Sequence, residues 1–146
     1  MHDCICDRIQ KVDRSIRYVG LANKMGTRIE DHYRNGLDPL LKEDELDLSA
    51  LESVLRMNLR CNMQHRLGNP LYSFTLYEKV KRISIPIYDG DYQIFMISFD
   101  LDVENEYVIL EKVLSLLKKA NILILSNMKF HANRCRNFLV REGACR

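Results

Sequence analysis

The residues best suited to chemistry stand at the two ends of the chain. His2, Cys4 and Cys6 place an imidazole and two thiols close together, and His131 and Cys135 lie one helical turn apart, the donor types that zinc takes in tetrahedral sites. Cys-x-Cys lacks the spacing of common zinc knuckles, so packed thiols beside a frayed terminus are the expectation, with no metal. Asp100, Asp102 and Glu104 alternate and would share one side of an extended segment, as a hard cation requires. Placed just before a helical pattern, they read better as capping residues that favour its positive end. Cys61 and His65, at i and i+4, are the internal thiol and base, but no third group or oxyanion donor joins them. Cys61 also falls in an apolar stripe, which makes it a structural thiol. The glycines are scattered and form neither a phosphate loop nor a nucleophile elbow. A basic strip of Lys79, Lys81 and Arg82, with Lys129, Arg134, Arg136 and Arg141 and the aromatic rings of Tyr77 and Phe130, could in principle stack on bases. With 22 basic and 20 acidic residues the charge is nearly balanced, so a solvated face is expected and no nucleic-acid partner. No enzyme, cofactor or catalytic residue is expected.

The elements that carry these residues are organised around 72–100, YSFTLYEKVKRISIPIYDGDYQIFMISFD, which reads as three antiparallel strands. Ile83, Ile85 and Ile87 alternate with Arg82, Ser84 and Pro86. A two-residue turn at Asp89-Gly90 would pair Tyr88 with Asp91, Ile87 with Tyr92, Ile85 with Ile94 and Ile83 with Met96. The strand at 92–100 is apolar on both faces and belongs in the middle of the sheet. Pro86 needs a position where a missing ladder bond is tolerated. Upstream, Ile5, Ile9, Val12 and Ile16 recur at helical spacing over about 3–14, followed by strands at 17–25 and 27–34. The second of these is so polar that it belongs at an edge.

A longer helix is expected over about 43–66, opened by Glu43, Asp44 and Glu45. Leu48, Leu51, Leu55, Leu59 and Met63 form one stripe, and Leu46, Ala50, Val54, Met57 and Cys61 a second, roughly opposite. One stripe covers the sheet and the other is left for the chain's own tail or a second molecule. A last helix at about 104–119 would bury Tyr107, Leu110, Val113, Leu114 and Leu117. Two units follow: a domain over 1–120, and an extension over 121–146, helical or loosely ordered. The chain has no apolar run long enough for a membrane span, and its start resembles no export signal, so a cytoplasmic protein with no membrane partner and with five reduced cysteines is expected.

The order helix, two strands, helix, three strands, helix resembles the roadblock and longin layout of the profilin-like superfamily over about 3–119. The strings RYVGLANKMG, LESVLRM and LYEKVKRISIPIY are similar to those of a family of small uncharacterised archaeal proteins. The resemblance implies an α+β fold: a central five-stranded antiparallel sheet of order 2-1-5-4-3 with helices on both faces. It also implies a homodimer or heterodimer that scaffolds complexes or regulates a small GTPase, a fold-level analogy that brings no catalytic residues. The surface expected to dimerise is the stripe of Leu46, Ala50, Met57 and Cys61, together with an edge strand carrying Leu71, Ser73, Thr75 and Tyr77. The alternative is a PAS-like or profilin-like sensor of a small molecule or metal. Its cavity would lie between sheet and helix, with a polar group among Tyr18, Asn23, Tyr72 and Ser98 pointing inward.

Overall fold

The computed structural model describes residues 4–87 and 90–122. Its elements run α1 (Ile5–Gln10), β1 (Ile16–Asn23), β2 (Arg28–Tyr33), α2 (Glu43–Cys61), α3 (Gln64–Leu67), β3 (Ser73–Leu76), β4 (Val80–Pro86), β5 (Tyr92–Asp100) and α4 (Glu106–Lys119). The five strands form one antiparallel sheet in the order β2-β1-β5-β4-β3. The doubly apolar β5 is central and the polar β2 is an edge, as the patterning requires. Helix α1 is shorter than its apolar spacing suggests, because Ile16 belongs to β1. The long helix stops at Cys61, and α3 is a separate turn.

The hairpin register differs by one residue from the two-residue-turn expectation. Ile85 pairs with Phe95 and Ile83 with Ile97, while the Ile87 N–H donates to the Gln93 carbonyl at 2.8 Å. The ladder is therefore centred on Gly90, whose φ of +61° suits the left-handed residue of a longer hairpin loop. Tyr88 and Asp89 lie outside the described residues. A one-residue slip moves every side chain to the opposite face. The isoleucines of β4 consequently join Phe95, Ile97 and Phe99, not Ile94 and Met96, in the core under α1 and α4. Pro86 is accommodated because amide hydrogens alternate in direction along a strand. That of Ile87 points to β5, so the position of Pro86 points the other way, beyond the end of β3, whose last partner is Ser84.

One face thus carries α1 and α4, which contribute Cys6, Ile9, Ile109, Leu110, Val113 and Leu117 to the larger core. Tyr107, expected in that stripe, is 60% exposed. The other face carries α2, where Ala50, Val54 and Met57 pack on Ala22, Ile94 and Met96. Arg28 fastens α2 to the sheet edge, donating to Asp31, Glu43 and Asp47, the last at 3.0 Å. Among the described residues no helix is long and apolar enough to cross a membrane.

Candidate interaction surface and cavity

Helix α2 presents three different sides. Leu46, Ala50, Val54, Met57 and Cys61 are buried against the sheet. This corrects the expectation that Leu46, Ala50, Met57 and Cys61 form the outward stripe; with Met57 fully buried, a charge there would disrupt the core and not an interface. The physical reason lies in side-chain size. Ala50 opposite Ala22 lets the helix approach the sheet closely, which a leucine at that position would prevent. The outward stripe is Leu48, Leu51, Leu55, Leu59 and Met63, each 40% exposed or more. The third side, with Ser49, Ser53, Arg56 and Arg60, faces a cleft over β3 and β4.

Strand β3 ends the sheet, and on its outer side no strand pairs with it among the described residues. Thr75 on β3 is exposed, Ser73 half-buried, and the flanking Leu71 and Tyr77 are about half exposed at 45% and 44%.

Under the start of α2 the sheet changes character. Register places Tyr33, Tyr18, Ser98, Arg82 and Thr75 side by side across all five strands. This belt contains no aliphatic side chain, whereas Ile94 and Met96 nearby on β5 are core. Above it opens a cavity of about 690 Å³, bounded by the first turns of α2, the segment 37–41 and the bend between β3 and β4. Tyr18 stacks at a tilt on Tyr33 with ring centroids 4.7 Å apart. Burial and the neighbouring Asp31 carboxylate push the Tyr18 hydroxyl pKa well above its ordinary range, so it is a donor at any physiological pH. Arg82 Nη1 donates to Ser49 Oγ at 2.5 Å, while its Nε is covered by protein and has no partner. Of the four polar residues proposed for an inward-facing role, Tyr18 and Ser98 line this cavity. Tyr72 is exposed, and Asn23 Oδ1 instead accepts the N–H groups of Met25 and Thr27 in the β1–β2 turn.

The other constellations resolve into structure. Asp100 is held by Arg34 at 2.6 Å and Arg17 at 3.2 Å, and these hydrogen bonds, that of Arg34 foremost, keep its carboxyl below the usual range. No group of three metal-ligating side chains occurs among the described residues. Burial foremost, and then the Glu30 charge, raise the Cys6 thiol far above its ordinary pKa, so it is no nucleophile. Cys61 is buried and His65 exposed, so the thiol is a core group and not one presented at the surface. Lys81 reaches Glu106 and the Val103 carbonyl near α4, while Arg82 faces α2, so the two do not form one basic strip. His2, His131, Cys135 and the basic residues of 121–146 beyond Ile122 lie outside the described residues, as does most of the expected extension.

No protein-family model and no curated protein matches the chain. Solved structures do resemble it. MglB of Myxococcus xanthus has a TM-score of 0.60 at 16% identity, covering 80% of this chain and 91% of that one. The gliding protein MglB of Thermus thermophilus gives 0.60 at 13%, covering 82% and 92%. A Roadblock/LC7 domain from Streptomyces avermitilis gives 0.57 at 11%, covering 80% and 94%. At such identities the likeness concerns the fold alone. The chain therefore has a roadblock-like fold, an antiparallel sheet of order 2-1-5-4-3 clad by helices on both faces.

Proposed function

We propose that this protein is a non-catalytic interaction module that forms a homodimer and acts as a scaffold or regulator of a protein partner, with a small GTPase as the partner class the roadblock resemblance implies. The observation that carries this reading is a β3 edge that no strand pairs with among the described residues, together with a helix, α2, whose outward side is leucine-rich. An unpaired edge supplies backbone donors and acceptors for a strand of a second chain, and Leu48, Leu51, Leu55 and Leu59 supply apolar area. Few monomers leave such a stripe in water. Self-association of a similarly folded protein supports it too, since one MglB structure is described with a tetrameric arrangement.

The test is native mass spectrometry and sedimentation of the wild type, Leu55→Glu and Leu59→Glu. The wild type is expected to be a dimer and both variants folded monomers by circular dichroism. A wild type that stays monomeric at all concentrations would exclude the homodimer. Dimers that survive both substitutions would exclude the leucine stripe, and Leu76→Pro then tests the β3 edge, because the Tyr77 N–H points to β4 and that of Leu76 therefore points outward. For the regulatory role, nucleotide exchange or hydrolysis by a candidate GTPase is measured with and without the dimer; no change across all candidates would leave only the scaffold.

A further inference from the structure

We propose that the polar belt beneath the start of α2 is the floor of a binding site for a small organic anion with an apolar body. This goes beyond the interaction reading: the site lies at the start of α2 and shares Leu48 with the outward stripe, but not Leu51, Leu55 or Leu59. Sheet positions covered by a helix are ordinarily aliphatic, as Ile94 and Met96 are beneath Val54 and Met57. Here the covered row is Tyr18, Ser98 and Arg82, and none of the described residues fills the space above it. Its volume of about 690 Å³ falls within the roughly 300–1,000 Å³ of small-molecule pockets.

Charge selects the class of ligand. The cavity is lined by three carboxylates and three cations. Glu45 accepts the Lys42 N–H at 2.7 Å and Glu52 pairs with Arg56 at 3.5 Å, while Glu78 and Lys79 are adjacent opposite charges in the bend between β3 and β4. Arg17 shares Asp100 with Arg34, whereas no carboxylate pairs with Arg82 among the described residues. The Nε of Arg82 is covered by protein and beyond a ligand's reach, so an oxyanion would be held at the outer end of the guanidinium, whose charge no carboxylate offsets among the described residues. Ser49 and Ser98 are neutral hydroxyls in the same lining, whereas the Tyr18 hydroxyl already donates to Asp31 at 3.4 Å and offers its ring. Leu40, Leu41 and Val80 form the apolar wall, so a ligand with an anionic end and a hydrophobic or aromatic body satisfies both halves.

The experiment uses fluorescence titration of the full chain with anilinonaphthalene sulfonate, an apolar ring system bearing one anion, and with uncharged N-phenylnaphthylamine. The sulfonate is expected to saturate at one site per chain. Arg82→Met should weaken it by roughly tenfold or more, the size of a lost charge-assisted bond, without changing the neutral probe, and Arg82→Lys should recover part of the loss. Leu55→Glu should leave both probes unchanged, which keeps this site distinct from the rest of the outward stripe. The proposal is overturned if the sulfonate does not saturate, if Arg82→Met leaves it unchanged, if that variant weakens both probes equally, or if Leu55→Glu abolishes binding. Should Arg82→Met fail to fold, salt decides on the wild type: sulfonate binding must weaken with ionic strength and the neutral probe must not.

Discussion

The ring of Tyr18 lies back over Gly20, two residues further along β1. A Cβ at Gly20 would stand 2.5 Å from Tyr18 Oη and 2.9 Å from Cζ, closer than real contacts allow. Gly20→Ala must therefore turn the ring away from the strand and disturb its stacking on Tyr33. The expected cost is about 1–3 kcal/mol, typical of overpacking. The chain has seven tyrosines and no tryptophan, so the near-ultraviolet circular dichroism reports tyrosine environments and should change in this variant. An unaltered spectrum with an unaltered urea midpoint would show that the ring has room to spare.

The full strand order came from the roadblock resemblance, but the places of two strands were legible because composition states how many faces of a strand are covered. Tyr92–Asp100 is apolar on both sides and becomes the centre, and the charged Arg28–Tyr33 becomes an edge. Register was not legible from Asp89-Gly90, since the same dipeptide fits a two-residue turn or a longer loop with glycine in the left-handed region, and these differ by one residue. The faces of α2 were ambiguous for a related reason. Two stripes of equal periodicity differ only in size, and the signal that marks the inward one is the small side chain of Ala50 matched by Ala22 across the interface. The polar belt was invisible because Tyr33, Tyr18, Ser98, Arg82 and Thr75 are far apart in the chain and meet only once the register is fixed.

Met57 and Leu55 are two residues apart on α2 and should respond in opposite ways to a carboxylate. Met57 is fully buried, and truncation to alanine should cost about 2–5 kcal/mol, with glutamate costing more because a charge would be left unsolvated. Leu55 is 53% exposed, and glutamate there should change the stability of the isolated chain by no more than about 0.5 kcal/mol. Urea unfolding of both variants at a concentration where each is monomeric checks the pair. Equal losses would mean that α2 is rotated about its axis relative to the sheet.

Asp100 makes stability depend on acid. Its carboxyl is depressed below its ordinary value of 3.8 by the hydrogen bonds from Arg34 and Arg17. A group held lower in the folded state binds fewer protons there than in the unfolded chain, so its contribution is complete above 3.8 and fades as pH falls through the lower folded value. Asp100→Asn should cost about 1–2 kcal/mol at neutral pH, since the acceptor loses its charge but the site is partly wet. The difference between variant and wild type should shrink as the pH is lowered through this window. A difference constant with pH would show that the loss comes from packing and not from ionisation.

The β1–β2 turn and α2 are held together by Gly26. Its φ is +77°, and a Cβ there would come within 2.6 Å of Leu51 Cδ1 and 2.8 Å of Leu51 Cα, a backbone atom that cannot swing aside. Gly36, with a φ of +75° and nothing within 4 Å, has the same backbone requirement without the contact. Gly36→Ala should therefore cost about 1–2 kcal/mol, and Gly26→Ala about 2–4 kcal/mol, because the helix must also give way. Denaturant midpoints at constant slope measure both. The surplus at Gly26 is the part that acts on the seat of α2, and it should appear together with weaker packing of Ala50 and Val54 on the sheet. Equal costs at the two glycines would mean that the turn relaxes outward and that α2 is positioned by its buried stripe and by Arg28 alone.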